Sequence, residues 1–293
     1  MSGGGGREGS GPHIWIIHYL CARPHFYELL TLLKKTSANT PVPHFEIDGN
    51  FRSMESFIGE IPSAFPSAEL FYTGKRNTLR LFSTECGEVV VKKFKLPAFP
   101  WRWFLSPEKG YKARKAYFNA LHLAAIGIDT PSPVGYLIEE RGGRISSEYY
   151  ISLRQDSKCV AEEIHPDGAV DLTLCRAVAH FLVSLHSKGV YYGDLTLANI
   201  LFRKDGDYFS FGMVDTDRCV FRNPLPKWYC LRDLRRMTRD MEVHRIMVEY
   251  YASFRGWNPS RTLRQVNFLK FFHELRKKVH FASRKLRDTF LSK

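Results

Sequence analysis

Asp194 is followed five residues later by Asn199-Ile200-Leu201, and a short apolar run then ends at Asp215 within Gly212-Met213-Val214-Asp215-Thr216-Asp217-Arg218. No other feature of the chain restricts its fold so sharply. Carboxylate and amide oxygens suit a hard divalent cation, and a carboxylate placed ahead of them can orient a hydroxyl. A plainer reading has Asp194 and Asn199 capping a turn while Asp215 ends a strand. The complete D-x-x-x-x-N-I-L with V-D downstream argues against it.

That spacing is the catalytic-loop arrangement of kinases. Asp194 is then expected to orient the acceptor, with Asn199 and Asp215 holding Mg2+ against the phosphates of ATP. Upstream, Val89-Val90-Val91-Lys92 reads as a strand carrying a lysine where kinases place the residue that contacts the α- and β-phosphates. Beside Lys93 and Lys95 such a lysine could equally be a solvated charge, and only its distance from Asp194 favours the binding role. A glycine-rich phosphate loop is missing, since Tyr72-Thr73-Gly74-Lys75-Arg76-Asn77-Thr78 holds one glycine. Lys75 and Arg76 can neutralise phosphate there or simply sit on a surface hairpin.

The order of elements agrees with a two-lobed α+β fold of the protein-kinase-like type. Runs rich in β-branched and aromatic residues at 70–73, 78–83 and 88–94 predict an antiparallel meander, and 134–139 and 148–153 predict two further strands. Ser106-Pro107-Glu108 offers an N-cap, a proline at the first helical position and a first-turn acid, opening the one main helix of the N-lobe, which ends near Ala125 before Gly127. Leu174, Val178, Phe181 and Leu185 recur at helical spacing just ahead of the Asp194 segment, and helical patterns dominate from there to the end. The expected division is 1–53 as a flexible or accessory segment, 54–156 as N-lobe and 157–293 as a mostly helical C-lobe. Residues 2–11 are too polar to order themselves, a helix fits 26–34, and Met54 is a possible true start.

At these residues the sequence resembles the lipopolysaccharide kinase family, the Kdo and heptose kinases of Gram-negative bacteria, distant relatives of protein kinases. Their loop typically reads H-G-D-L-N-x-x-N-I-L and their metal strand I-D-F-D-R; Tyr192-Gly193-Asp194-Leu195-Thr196 and Val214-Asp215-Thr216-Asp217-Arg218 stand in those places. The resemblance runs from about Glu69 to Asn223 and takes in Lys112-Ala113-Arg114-Lys115 and Gly127-Ile128-Asp129-Thr130-Pro131. It implies Lys92 as nucleotide-binding, Asp194 as catalytic, Asn199 and Asp215 as magnesium ligands, and transfer from ATP to a sugar hydroxyl of the lipopolysaccharide inner core. Two positions depart from the pattern. Tyr192 replaces a histidine that braces the loop, and Phe118 stands where a helical Glu would pair with Lys92, leaving Glu108 or no partner.

The remaining evidence bears on location and partners. The excess of 43 Lys and Arg over 30 Asp and Glu favours anionic partners. Six scattered cysteines without metal-ligand spacing read as free thiols in a reducing compartment. No apolar run is long enough to span a bilayer, which predicts a cytoplasmic protein, peripheral at the inner face of the bacterial inner membrane. Between Arg261 and Lys293 ten basic residues face Glu274 and Asp288, and Phe268, Phe272, Leu275, Val279, Ala282, Leu286 and Phe290 form one apolar stripe. The stripe either packs on the C-lobe or lies on an anionic membrane surface, where Trp101, Trp103 and Phe104 could join it. No nucleic-acid reader motif is present. A protein or aminoglycoside-type kinase and a nucleotide-binding pseudokinase are the competing readings.

Overall fold

A computed structural model describes residues 42–74, 76–96, 112–141, 144–206 and 208–291, with side chains as far as Val279. The N-lobe is an antiparallel sheet of β1 (Val42–Ile47), β2 (Glu69–Thr73), β3 (Asn77–Thr84), β4 (Gly87–Phe94), β5 (Pro133–Arg141) and β6 (Arg144–Leu153), in spatial order β1-β5-β6-β4-β3-β2. The strand alternation in the sequence has a direct physical outcome here. Val89, Val91, Val134, Leu137, Tyr149 and Ile151 point to one face of the sheet, and Lys92, Phe94, Tyr136 and Ile138 to the other.

Each face has its own helix. The outer face is covered by α1 (Glu55–Ala64), whose Ile58 and Ile61 are fully buried with Phe65 and Met54 against the valines of β4. The cleft face carries α2 (Lys112–Ala125), which buries Ala113, Ala116, Tyr117 and Ala120. Small residues at the contact let the helix approach Phe94, Tyr136 and Ile138 closely. The predicted N-cap at Ser106-Pro107-Glu108 lies outside the described residues, as do Lys75, the Trp101–Phe104 loop, residues 2–11 and the helix expected at 26–34. At the far end of α2, Gly127 takes φ 70°, the left-handed turn that closes a helix.

The boundary drawn at 53/54 cuts through this lobe. Val42–Ile47 pairs with β5 over six residues, and Phe45 and Ile47 join the core under α1. Pro43 lies in this edge strand, where a missing N–H is tolerated, so a proline-bearing stretch that looks like a linker serves as a strand.

After residues 154–157 the chain enters the C-lobe. It comprises β7 (Lys158–Cys159), α3 (Val160–Glu163), α4 (Leu172–Ser187), β8 (Val190–Tyr191), β9 (Ile200–Asp205), β10 (Tyr208–Met213), β11 (Val220–Phe221), α5 (Lys227–Leu234), α6 (Met241–Phe254) and α7 (Pro259–Leu291). Asp171 caps α4 by accepting from the Leu174 amide at 2.8 Å, and Leu174, Val178, Leu182 and Leu185 are buried in the main core of this lobe. The lobes are joined at several points. The Met213 amide donates to the Asp129 carbonyl at 2.8 Å, and Lys188 Nζ donates to the carbonyls of Ile126 and Gly127.

Of the expected stripe on α7, Phe268, Phe272, Leu275 and Val279 do not pack on the lobe, and the side chains of Ala282, Leu286 and Phe290 lie outside the described residues. Thr262 and Val266 on a different face do pack on it, whereas Phe268 and Phe271 are 63% and 62% exposed and Val279 61%.

Candidate active site

Lys92 and Asp215 meet across the cleft. Lys92, only 9% exposed in the middle of β4, places Nζ 2.5 Å from Asp215 Oδ1 and 4.9 Å from the centroid of the Phe94 ring. By sequence the partner of this lysine is Glu108 or none. Asp215 is its partner, and Glu108 lies outside the described residues. Phe118, at the position expected for a helical acid, packs instead on Tyr117 and Tyr136 under the Arg114 guanidinium.

Without that acid, α2 is fastened to the turn after β10 by other means. Thr216 Oγ1 donates to the Ala116 carbonyl at 2.9 Å, and Asn119 Nδ2 donates to the Thr216 carbonyl at 2.7 Å. Thr216 is buried, so these bonds act in a low dielectric, where polar groups without partners would be costly.

Asp215 itself adopts φ 64° and ψ 54°, a left-handed conformation unusual for a residue with a side chain. Two bonds hold the backbone around it: the Tyr192 hydroxyl donates to the Asp215 carbonyl at 3.1 Å, and the Val214 amide to the Asn199 carbonyl at 3.0 Å. Tyr192 thus braces the metal strand from the position where the family pattern has histidine. Burial alone would raise the Asp215 pKa, but the Lys92 ammonium and a hydrogen bond with Asp217 hold it below the usual carboxylate range. Asp217 moves the other way, pushed up to about 7 by burial and by the neighbouring Asp215.

Asp194 sits in the loop between β8 and β9. Asn199 Nδ2 donates to its carbonyl at 3.0 Å, which fixes the amide and ties the two residues of the D-x-x-x-x-N spacing together. Arg218 Nη1 lies 3.0 Å from Asp194 Oδ2, and Arg236 Nη2 contacts Oδ1. The loop is anchored from below by Asp233 on α5, 1% exposed, which accepts the amides of Tyr192 at 2.7 Å and Gly193 at 2.9 Å. Gly193 has φ 82°, and a side chain there would collide with the Arg218 carbonyl.

Asp233, Arg236, Thr216 and Asn119 were not singled out in the sequence. For Asp233 a signal existed: it shares the buried face of α5 with Cys230, Leu231 and Leu234, and an acid on an apolar helix face needs partners. Arg236 had none, being one of several arginines in Arg232-Asp233-Leu234-Arg235-Arg236.

A strand lysine paired to the aspartate that follows β10, beside an aspartate–asparagine loop and between two lobes of this topology, defines a phosphotransferase of the protein-kinase-like class. The profile of the lipopolysaccharide kinase (Kdo/WaaP) family matches residues 112–258, and the chain belongs to that family. It is accordingly an ATP-dependent phosphotransferase whose acceptor is a sugar hydroxyl of the lipopolysaccharide core. The match begins at α2 and so includes Asp194, Asn199 and Asp215 but not Lys92. The fold is similar to that of WaaP in complex with acyl carrier protein, at 17% identity and a TM-score of 0.52, covering 80% of this chain and 98% of the other. A Rio2 kinase complex with ADP/Mg2+ and phosphoaspartate from Chaetomium thermophilum aligns at 14% identity and a TM-score of 0.43, covering 77% of each chain. A comparison with curated proteins finds no match.

Proposed function

We propose that the cleft transfers the γ-phosphoryl group of ATP to a hydroxyl of Kdo or heptose in the lipopolysaccharide inner core, with Lys92 on the nucleotide phosphates and Asp194 at the acceptor. The observation that carries this reading is the contact of Lys92 and Asp215, 123 positions apart in sequence, at 2.5 Å. A cation and a carboxylate aligned in this way are the two halves of a phosphate and metal site. The acceptor oxygen would bond to the γ-phosphorus as the bond to the β-phosphate bridging oxygen breaks. The hydroxyl proton passes to Asp194 Oδ and ADP departs.

The donor set fits magnesium. Asp215, Asp217 and the Asn199 amide are hard oxygen donors, and Asp217 is held at about 7 because two neighbouring buried carboxylates cannot both ionise easily without a cation. Asp215 and Asn199 would hold the ion, which when bound supplies charge neutralisation at the phosphates. Among the described residues no cluster of three His, Cys, Asp or Glu side chains is gathered, so this site would rest on two carboxylates and one amide.

The membrane side of the reading rests on α7. Its exposed phenylalanines and basic flanks suit the inner face of the bacterial inner membrane, where a glycolipid acceptor would be presented. Acyl carrier protein, the partner in the similar solved complex, is a further candidate partner for this chain.

Magnesium-dependent transfer of labelled γ-phosphate to Kdo-lipid A and to heptose-bearing core tests the proposal. Label is expected on the glycolipid with the natural protein, and a loss of at least about a hundredfold in Asp194→Ala and in Asp215→Ala. Transfer that survives either substitution overturns the assignment of these residues.

A further inference from the structure

Each carboxylate oxygen of Asp194 carries one guanidinium contact before any substrate arrives. Arg218 lies 3.0 Å from one and Arg236 contacts the other, while Arg236 Nη1 also donates to the Gly193 carbonyl at 3.3 Å. A residue that must receive a hydroxyl proton is thereby turned toward two guanidiniums. Two guanidiniums weaken Asp194 as a proton acceptor, and an anion arriving with the acceptor would compete for them.

The surroundings supply more positive charge than Asp194 can balance. Arg232 and Arg236 crowd Arg235, whose pKa is lowered by burial and then by those two neighbours. Arg235 Nε is buried without a hydrogen-bond partner. From α7, His273 stands close enough to this cluster that burial, together with Arg235, Lys277 and Arg236, lowers its pKa. The acids nearby are already engaged: Asp233 by two backbone amides and His186, Glu274 by Lys277 at 2.9 Å. At Asp194 itself the Arg218 and Arg236 side chains are 40% and 21% exposed, so both guanidiniums remain within reach of an incoming oxyanion.

We propose that Arg218 and Arg236, backed by Arg235, form an anion subsite of the acceptor, and that an acidic group on the glycolipid takes these guanidiniums and so releases Asp194 to the hydroxyl being phosphorylated. This inference rests on the kinase reading above. It makes charge next to the reacting hydroxyl a requirement of the acceptor, which the carboxylate of Kdo meets and an unmodified heptose does not. A phosphate on the lipid A moiety is the other source of the same chemistry.

The decisive measurement is binding without ATP, so that it does not depend on turnover. Calorimetry would compare detergent-dispersed Kdo-lipid A, the same glycolipid with its Kdo carboxyl groups reduced to alcohols, and a form lacking the lipid A phosphates. The natural protein is expected to bind the intact glycolipid at least tenfold more tightly than one of the two altered forms, and the form that loses affinity identifies the anion. Arg236→Gln should bind all three alike, and Arg236→Lys should recover part of the discrimination. Melting temperature establishes that each variant is folded, with Arg218→Gln as the second probe if Arg236→Gln is not. Equal binding of all three forms by the natural protein, or discrimination that persists in a folded glutamine variant, overturns the subsite. Discrimination in binding without phosphate transfer to any form would instead overturn the kinase reading and leave the subsite standing.

Discussion

His186 is fully buried at the end of α4, with Nδ1 2.8 Å from the Tyr251 hydroxyl and Nε2 3.4 Å from Asp233 Oδ2. Burial opposes its charge, but Asp233 and the Cys230 sulfur outweigh that and push its pKa up to about 9. The folded protein therefore holds this proton more tightly than the unfolded chain, where histidine titrates near 6.5. The stabilisation is complete below pH 6.5 and is lost as pH rises through about 9. Urea unfolding followed from pH 6 to pH 9.5 should show stability falling across this window by at most about 1.4 kcal/mol per pH unit. His186→Gln should flatten that slope, and an unchanged slope would mean that His186 is neutral in the folded protein. The consequence for function is indirect, because the imidazolium lies beside Asp233, and Asp233 holds the backbone on which Asp194 is mounted.

Among the elements, α1 is the one whose role the sequence hid most completely. It carries Ile58, Ile61 and Phe65 at helical spacing, yet Gly59 and Pro62 interrupt the pattern and no further turns repeat it. Pro62 is tolerated because it lies in the last turn, where one lost hydrogen bond does not propagate. The helix closes the outer face of the sheet that carries Lys92, so its packing bears on the site through β4. Ile58→Ala should cost about 2–5 kcal/mol in urea unfolding, as for a fully buried aliphatic residue. A cost below about 1 kcal/mol would show that α1 does not form part of the cooperative unit. The strands β2 to β6 were legible as runs of β-branched and aromatic residues, with turn residues Gly74 and Gly87 between the first three, while β1 was not, since an edge strand with one proline carries too short a pattern.

At the scale of the whole molecule, a net charge of +13 is distributed around a cleft and a long terminal helix. On α7 the side chains Phe268, Phe271, Phe272, Leu275 and Val279 fall at i, i+3, i+4, i+7 and i+11, a single exposed face, with Arg276 and Lys278 beside it. Aromatic rings inserted at the headgroup level and cations near anionic lipid, each worth about 1 kcal/mol, are additive devices for surface attachment. No helix among the described residues is long and apolar enough to cross a membrane. Sedimentation with vesicles containing phosphatidylglycerol should carry the protein down, less at high salt, and the double variant Phe271→Ser/Phe272→Ser should weaken binding at least tenfold. Retention of full binding by that variant would move the attachment elsewhere on the surface.

The sequence by itself determined the class of chemistry and the order of the lobes. Asp194 and Asn199 lie in one loop and Asp215 just beyond the β9–β10 hairpin that follows it, and the bonds linking them close over this short stretch, so their spacing reports their geometry. Amphipathic spacing likewise reports which side of α4 and of β4 faces inward. Only the tertiary structure decided that Lys92 pairs with Asp215, that Thr216 and Asn119 do the fastening expected of a helical acid, and that Arg218 and Arg236 close on Asp194. Periodicity records burial along one element, whereas the partner of a charge depends on how separate elements are oriented when they pack. The α7 stripe shows the same limit, because the sequence gives an apolar face whether it meets protein or solvent, and only the placement of Val266 against the C-lobe turns Phe268 and Phe271 outward.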